Sequence, residues 1–388
     1  MTGKTLIIHL ITRLEPDDAA RNVLDSAAYQ AKSSRVIIAA GPCSAALELP
    51  EGVQYMEIPG LKKIMSPLSD LKVFLELKKI FAKFEPGVIH THASKAGFLG
   101  RLAAMAYNRA ADKKAVVVHT PHGHLLYGYC GPLKTFMFKL AGRLAARWTD
   151  RFIALTRGEL EESVAAGIGS REKWAVIHSG VRFTPREVDR KAVRKEIGIE
   201  PDEIVVGTAA GLEPIEGVEY FIRAAKILTD KEKNRKLRFL IVGGGRLEPE
   251  LRALAGRFGL GEKIIFTGFQ KDIFRYLCVM DLYIQPSLNE AMGRSALEAQ
   301  YARLPVIASK VCGLQDTVKD GETGILTPPA DADALADAAE TLLKNETRRR
   351  TMGEAARRWV MQKDYTGYTQ FSVEAMNISL KNFYGKMA

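Results

Sequence analysis

Two glutamates, Glu290 and Glu298, have seven residues between them and stand on either side of Gly293 in the run NEAMGRSALE. Ahead of them, Asp281–Gln285 is a short apolar run that ends at Pro286 and reads as a buried strand. Helix-forming residues then run from Arg294 to Ala302, Pro305 stops them, and Val306–Ala308 reads as the next strand. A helix that opens near Gly293 presents the amides of Ala291, Met292 and Gly293 at its start, with Arg294 beside them. Such a terminus suits an anion, above all a phosphate. Glu298, about a turn and a half into the helix, is placed to accept hydrogen bonds from ligand hydroxyls. Glu290, on the loop, can do the same further out. A phosphate at one end and hydroxyls on the flanks is the chemistry of a sugar nucleotide. The plainer reading is one more strand–loop–helix of a parallel sheet, with both glutamates solvated.

The elements that position these residues recur along the chain. Thr5–Thr12 reads as a strand, the following loop enters a helix, and Arg35–Ala40 reads as the second strand, the opening of a doubly wound α/β fold. Further strands are expected at Gly87–His92, Ala115–Thr120, Arg151–Thr156, Glu203–Ala209, Leu237–Val242 and Ile264–Gly268, with helices over Thr341–Asn382. A length of 388 residues calls for two domains. No apolar run is long enough to span a membrane, and the start reads as a strand and not as a signal peptide. Cys43, Cys130, Cys278 and Cys312 lie far apart, without metal-ligand spacing, and read as reduced cytosolic thiols.

The strand ends of the N-terminal half carry a second group of candidates. His90-Thr91-His92 precedes Ala93-Ser94-Lys95, so His92, Ser94 and Lys95 fall where open α/β sheets bind ligands; a capped helix start is the alternative. Pro121-His122-Gly123-His124 follows the next strand. His90, His92, His119 and His122, with His124 near, raise the question of a metal, but the flanking loops lack acidic partners. The net charge of +11 is uneven: Met1–Pro185 holds 25 Lys and Arg against 16 Asp and Glu. That excess suits an anionic acceptor or an anionic membrane. No zinc finger, RNA-binding aromatic motif or recognition helix accompanies it, so nucleic acid is not expected. Leu71–Phe84 and Pro132–Trp148 interleave apolar and basic residues at helical spacing; each fits either core packing or a membrane surface.

The ordered run of Pro286-Ser287, Glu290, Glu298, LPVIAS, Cys312-Gly313 and DGETGIL resembles the signature of retaining nucleotide-sugar glycosyltransferases of the GT-B fold, family 4 (glycosyltransferase group 1), of the polysaccharide-biosynthesis type. HTPHGHLLYGY resembles that family's strand-end histidine motif, and VIHSGV its motif at the end of the first domain. The resemblance implies an α/β protein of two Rossmann-like parallel-sheet domains facing a cleft, with a C-terminal helix crossing back. The domains would be residues 1–182 with about 365–388, and residues 188–364, joined by Phe183–Glu187. It implies transfer of a sugar from a nucleotide sugar to a lipid-linked or surface-polysaccharide acceptor, with no metal and no cofactor. The chain would be cytoplasmic and peripheral on the inner face of the cell membrane.

By the same resemblance His122 lies against the transferred sugar and Glu290 holds it, while Glu298 takes the ribose. Ala291, Met292, Gly293, Arg294, Gly211, Gly243 and Gly244 serve the donor phosphates and sugar, and Gly268 and Phe269 the base. Asp17, Asp18, His92, Ser94, Lys95 and His124 fall on the acceptor side. The chain departs from the family at the diphosphate. Gly211 and Glu216 stand where the family has an arginine and a lysine, and Asp17 and Asp18 where it has glycines. Three readings follow: a working transferase with another phosphate grip, an enzyme with an unconventional donor, or a catalytically impaired relative that binds or scaffolds.

Overall fold

The computed structural model describes residues 4–15, 17–42, 48–62, 64, 66–123, 131–233 and 235–387. The chain divides into two units, Met1–Gly180 with Tyr365–Ala388, and Val181–Asp364.

The first unit is built on β1 (Leu6–Ile11), β2 (Arg35–Ala40), β3 (Val53–Glu57), β4 (Val88–His92), β5 (Val116–Thr120), β6 (Arg151–Ala154) and β7 (Trp174–Val176). They pair in the order β3-β2-β1-β4-β5-β6-β7, every pair parallel. β1, LIIHLI, is buried along its whole length because helices cover both faces of the sheet. The helices include α1 (Asp18–Gln30), α2 (Pro67–Phe84), α3 (Ser94–Ala110), α4 (Pro132–Ala146) and α5 (Arg157–Ala165). The C-terminal helix Val373–Gly385 belongs to this unit. Its Val373, Met376 and Leu380 enter the core with Ile7, Val118 and Ile153. A Cβ on Gly180 would lie 2.4 Å from the Val373 backbone, so glycine permits the approach.

The two amphipathic helices differ. α2 sends Val73, Leu77 and Phe81 into the core. α4 buries only Ala145 and Ala146 of its own residues, leaving Leu133, Phe136, Met137, Leu140 and Leu144 exposed. Among the described residues no helix is long and apolar enough to cross a membrane.

The second unit is built on β8 (Ile204–Ala209), β9 (Leu237–Val242), β10 (Ile264–Phe266), β11 (Leu282–Gln285), β12 (Val306–Ser309) and β13 (Gly324–Thr327), in the order β10-β9-β8-β11-β12-β13, again all parallel. Two doubly wound parallel sheets are therefore present, as expected. The strand order reverses between β1 and β4 in one sheet and between β8 and β11 in the other. At such points the loops after neighbouring strands part and leave a crevice at the carboxyl ends.

Candidate functional site

In the second unit Glu290, Ala291, Met292, Gly293, Arg294 and Glu298 follow β11, and Gly211 follows β8, the two strands of the switch point. Gly293, at φ +78°, precedes the helix Arg294–Tyr301. A Cβ there would meet Leu314 at 2.5 Å, so glycine fixes the turn. Arg294 and Met292 are buried, while Glu290 and Glu298 stay partly exposed. The loop leans on Gly313, where a Cβ would lie 2.1 Å from the Ala291 carbonyl oxygen and 2.6 Å from the Met292 nitrogen.

A buried polar network holds this loop to the strand ends. Tyr283 Oη donates to Gln285 Oε1 at 2.6 Å, Ser295 Oγ donates to the same oxygen at 3.1 Å, and Gln285 Nε2 donates to Ser287 Oγ at 2.8 Å. Burial pushes the Tyr283 hydroxyl well above its ordinary range, so it stays protonated and can donate. Ser287 Oγ lies 3.4 Å from Glu216 and 3.5 Å from Glu290. Glu216 thus sits within one hydroxyl of Glu290, the candidate sugar-binding glutamate. Gly211 has open space around the position of a Cβ. Arg246, a cation near this loop, is paired with Glu213 at 2.6 Å.

Gly243, Gly244, Gly268 and Phe269 meet at the ends of β9 and β10. Gly243 donates to the Gly268 carbonyl at 3.0 Å, and its φ of +140° places a Cβ 1.9 Å from the Ala210 carbonyl oxygen, which only glycine avoids. Leu212 donates to the Gly244 carbonyl at 3.0 Å, tying the Gly211 loop to the same place. Phe269 is 63% exposed beside them, a free aromatic face where a base can stack.

In the first unit, His122 and Ala93 follow β5 and β4 at φ +59°, a conformation costly for residues with a Cβ. Glu159, fully buried on α5, holds the His122-Gly123 turn. Its carboxylate accepts from Gly123 N at 2.7 Å and from Leu155 N at 2.6 Å. Burial nevertheless pushes its pKa up to about 7. His122 does not stand alone: its Nε2 is 2.9 Å from His92 Nδ1, His92 Nε2 is 2.9 Å from His9 Nδ1, and His9 Nε2 is 2.6 Å from Gln30 Oε1. His92 is fully buried and so reaches a ligand only through His122. Ser94 is exposed at the start of α3. The Lys95 ammonium pairs with Asp70 at 2.6 Å and donates to the Ile64 carbonyl, tying α3 to α2. Asp17 caps α1 by accepting from Ala20 N at 2.8 Å, and Asp18 lies exposed in the first turn. A carboxylate of the chain itself thus occupies that helix terminus, where a ligand anion would otherwise bind. His124 lies outside the described residues.

His9, His90 and His92 offer nitrogens within 4.8 Å of one another, a spacing a metal could use. All six ring nitrogens are already engaged: those of His9 and His92 in the chain above, and those of His90 with Thr120 at 2.8 Å and Tyr384 at 2.6 Å. A cavity of about 80 Å³ opens between α3 and α4, lined by Ser94, Arg101, His119, Gly123 and Ala141. Arg101 is 4% exposed and donates to the Gly97 carbonyl and, at 3.4 Å, to Thr149; no carboxylate pairs with it among the described residues. Burial lowers its pKa to about 9. The sequence reading missed His9, Gln30, Arg101, Glu159, Tyr283, Gln285 and Tyr384. His9 inside LIIHLI and Gln285 at the end of LYIQ are the two with a local signal, a polar residue in a wholly buried strand.

Comparison with known proteins gives the family and the fold. The family described as Glycosyl transferases group 1 matches residues 189–359, and that described as Glycosyltransferase Family 4 matches residues 19–184. An Escherichia coli protein named UDP-Gal:alpha-D-GlcNAc-diphosphoundecaprenol alpha-1,3-galactosyltransferase is 30% identical over 75% of this chain and 75% of its own. This chain is a group 1 glycosyltransferase of the GT-B fold. The Staphylococcus aureus capsular polysaccharide biosynthesis glycosyltransferase CapM is 26% identical over 84% of this glycosyltransferase and 86% of its own length. In fold, the transferase is similar to Anabaena HepE, solved in complex with UDP and glucose, with a TM-score of 0.80, 21% identity and coverage of 98% of this chain and 100% of that one.

Proposed function

We propose that this glycosyltransferase moves a sugar, with retention of configuration, from a nucleoside diphosphate sugar to a lipid-linked or surface-polysaccharide acceptor in polysaccharide assembly. The observation that carries this reading is the convergence of Glu290, Ser287, Gly293 and the Gly211–Gly217 loop at the β8/β11 switch point. The name of the E. coli relative, with its UDP-sugar donor and diphosphoundecaprenol-linked acceptor, supports the same pairing here. Glu290 holds the sugar hydroxyls, Glu298 the ribose, and Gly268 and Phe269 the base; the backbone at Met292 and Gly293 faces sugar or phosphate. The bond from the anomeric carbon to the diphosphate breaks with its electron pair staying on the phosphate oxygen, and the acceptor hydroxyl attacks from the same face, passing its proton to that departing oxygen. Positioned donors stabilise the charge that develops on the leaving group. His122 contacts the transferred sugar.

The acceptor side falls on the basic first unit. The Arg101 cavity suits an anionic acceptor, since a guanidinium buried without a counter-charge gains most from one. The exposed apolar residues of α4, set among Lys134, Lys139 and Arg143, suit the surface of an anionic membrane, which makes the enzyme peripheral on the inner face. No step needs a metal or a cofactor, and the engagement of all six nitrogens of the His9–His90–His92 group supports that reading. The proximity of Glu216 to Glu290 favours a second reading, a donor whose leaving group carries less charge than a nucleoside diphosphate. Transfer assays with UDP-glucose, UDP-galactose and UDP-N-acetylglucosamine on a diphosphate-linked N-acetylglucosamine lipid, read by the anomeric coupling of the product, test the proposal. An α-linked product supports it; a β-linked product refutes retention, and transfer only from glycosyl monophosphates favours the second reading.

A further inference from the structure

The mechanism above uses His122 but not the imidazoles beneath it. β1 and β4 are neighbours with His9 directly opposite His90, and His90 and His92 share a face because strand side chains alternate. Gln30, from α1, and Tyr384, from the C-terminal helix, reach into this group. The result is a line of contacts, Gln30–His9–His92–His122, at 2.6, 2.9 and 2.9 Å.

The line has a direction because its inner end is an amide oxygen, which only accepts. His9 must therefore carry its proton on Nε2, which leaves Nδ1 bare. His92 must then donate from Nε2 and accept at Nδ1, and His122 must donate from Nε2. We infer that Gln30, His9 and His92 are positioning residues that lock the tautomer of His122, so that its Nδ1 is left as a hydrogen-bond acceptor for a substrate hydroxyl. An amide does not take up a proton, so the line fixes a tautomer and is not an exit for protons. A second proton on His9 or His92 would turn an acceptor into a donor and break a bond of the line, and one on His122 would remove the acceptor offered to the substrate. The surroundings add to that cost. His90 bonds Thr120 and Tyr384, His119 bonds Thr91, and Arg101 stands near His119. Burial lowers the pKa of His9 to about 4 and that of His122 to about 3. Among the described residues, none of these partners is a carboxylate. That a substrate hydroxyl meets His122 rests on the proposed function; the lock itself does not.

The test is direct. The full chain is labelled with ¹⁵N-histidine, and long-range proton–nitrogen spectra at neutral pH report which nitrogen of each of the seven histidines carries the proton. His122 is assigned from the peak lost in His122→Ala. The lock predicts that His122 is protonated on Nε2 alone. Gln30→Met removes the terminal acceptor at similar volume, and both tautomers should then appear at His122, at the far end of the line. Gln30→Glu keeps an oxygen acceptor and should keep the wild-type pattern. Protonation of His122 on Nδ1 in the wild type overturns the inference, as does an unchanged His122 in a folded Gln30→Met. Should Gln30→Met fail to fold, the wild-type spectrum alone decides. In turnover, Gln30→Met should lower kcat about tenfold with the donor KM within about twofold, and Gln30→Glu should restore it. A chain without transfer activity would refute the proposed function and leave the spectra to judge the lock.

Discussion

Mild acid should destabilise the first unit selectively. His9, His90, His92 and His119 are all nearly inaccessible, and burial holds each pKa below its ordinary value. A group whose folded pKa is depressed contributes stability that is present above its unfolded pKa and lost as pH falls below it. For histidine that loss begins near pH 6.5. At pH 5.5 an unfolded histidine is about nine-tenths protonated while the buried rings stay neutral, so each costs about 1.3 kcal/mol relative to pH 7.5. Four rings together cost about 5 kcal/mol. Glu159 acts in the opposite sense. Its folded pKa is raised to about 7, so its carboxyl favours the folded state as pH falls through that value, by about 2 kcal/mol over the same window. The net loss is about 3 kcal/mol, a large part of the stability of a typical domain. The assay is urea unfolding followed by the fluorescence of Trp148 and Trp174, which lie in this unit, in a Trp359→Phe background that silences the other. With m near 2 kcal/mol per molar, the midpoint should drop by about 1.5 M between pH 7.5 and 5.5. Glu159→Gln should deepen the drop. A midpoint that stays constant or rises on acidification refutes the claim that these rings are held neutral.

Other outcomes follow from particular contacts. Glu298→Ala should abolish transfer with the thermal unfolding curve unchanged; retained turnover would remove Glu298 from the ribose. Gly211→Arg with Glu216→Lys should tighten UDP binding by more than about tenfold, since one negative charge is removed and two positive ones are added near the diphosphate, each worth about 1 kcal/mol after screening. The open space at Gly211 accepts the longer side chain, so unchanged affinity would mean that these positions do not face phosphate. Sedimentation with anionic vesicles should capture the protein at low salt, and Phe136→Ser with Leu140→Ser should release it; capture unaffected by both changes would mean that α4 is not the membrane-facing element.

The fold was legible because its signals are local. Apolar runs bounded by Gly and Pro marked β2 and β9 to the residue, and Gly293 between Glu290 and Glu298 marked the start of the helix Arg294–Tyr301. The half-exposed edge strand β3, with polar Gln54 and Glu57, lacks such a run and was not anticipated. The helix expected to reach Trp148 ends at Ala146. Partners were the illegible part. Lys95 read as a ligand contact until Asp70, on another helix, came within 2.6 Å. Glu159 reads locally as the acid three residues after the Thr156 cap, yet its carboxylate serves Gly123 and Leu155. The His9–His92–His122 line exists only because β1 lies beside β4 and β4 beside β5, an order that no window of sequence encodes.

The most direct test of the central claim is calorimetry of the wild-type chain and its Glu298→Ala variant against UDP, GDP, ADP and dTDP. A nucleotide-sugar transferase should bind one of the four at micromolar strength, and Glu298→Ala should weaken that binding by about tenfold or more. No binding to any of the four by the folded protein would contradict the account and leave the acids around the diphosphate position as the mark of a different donor or of an impaired enzyme.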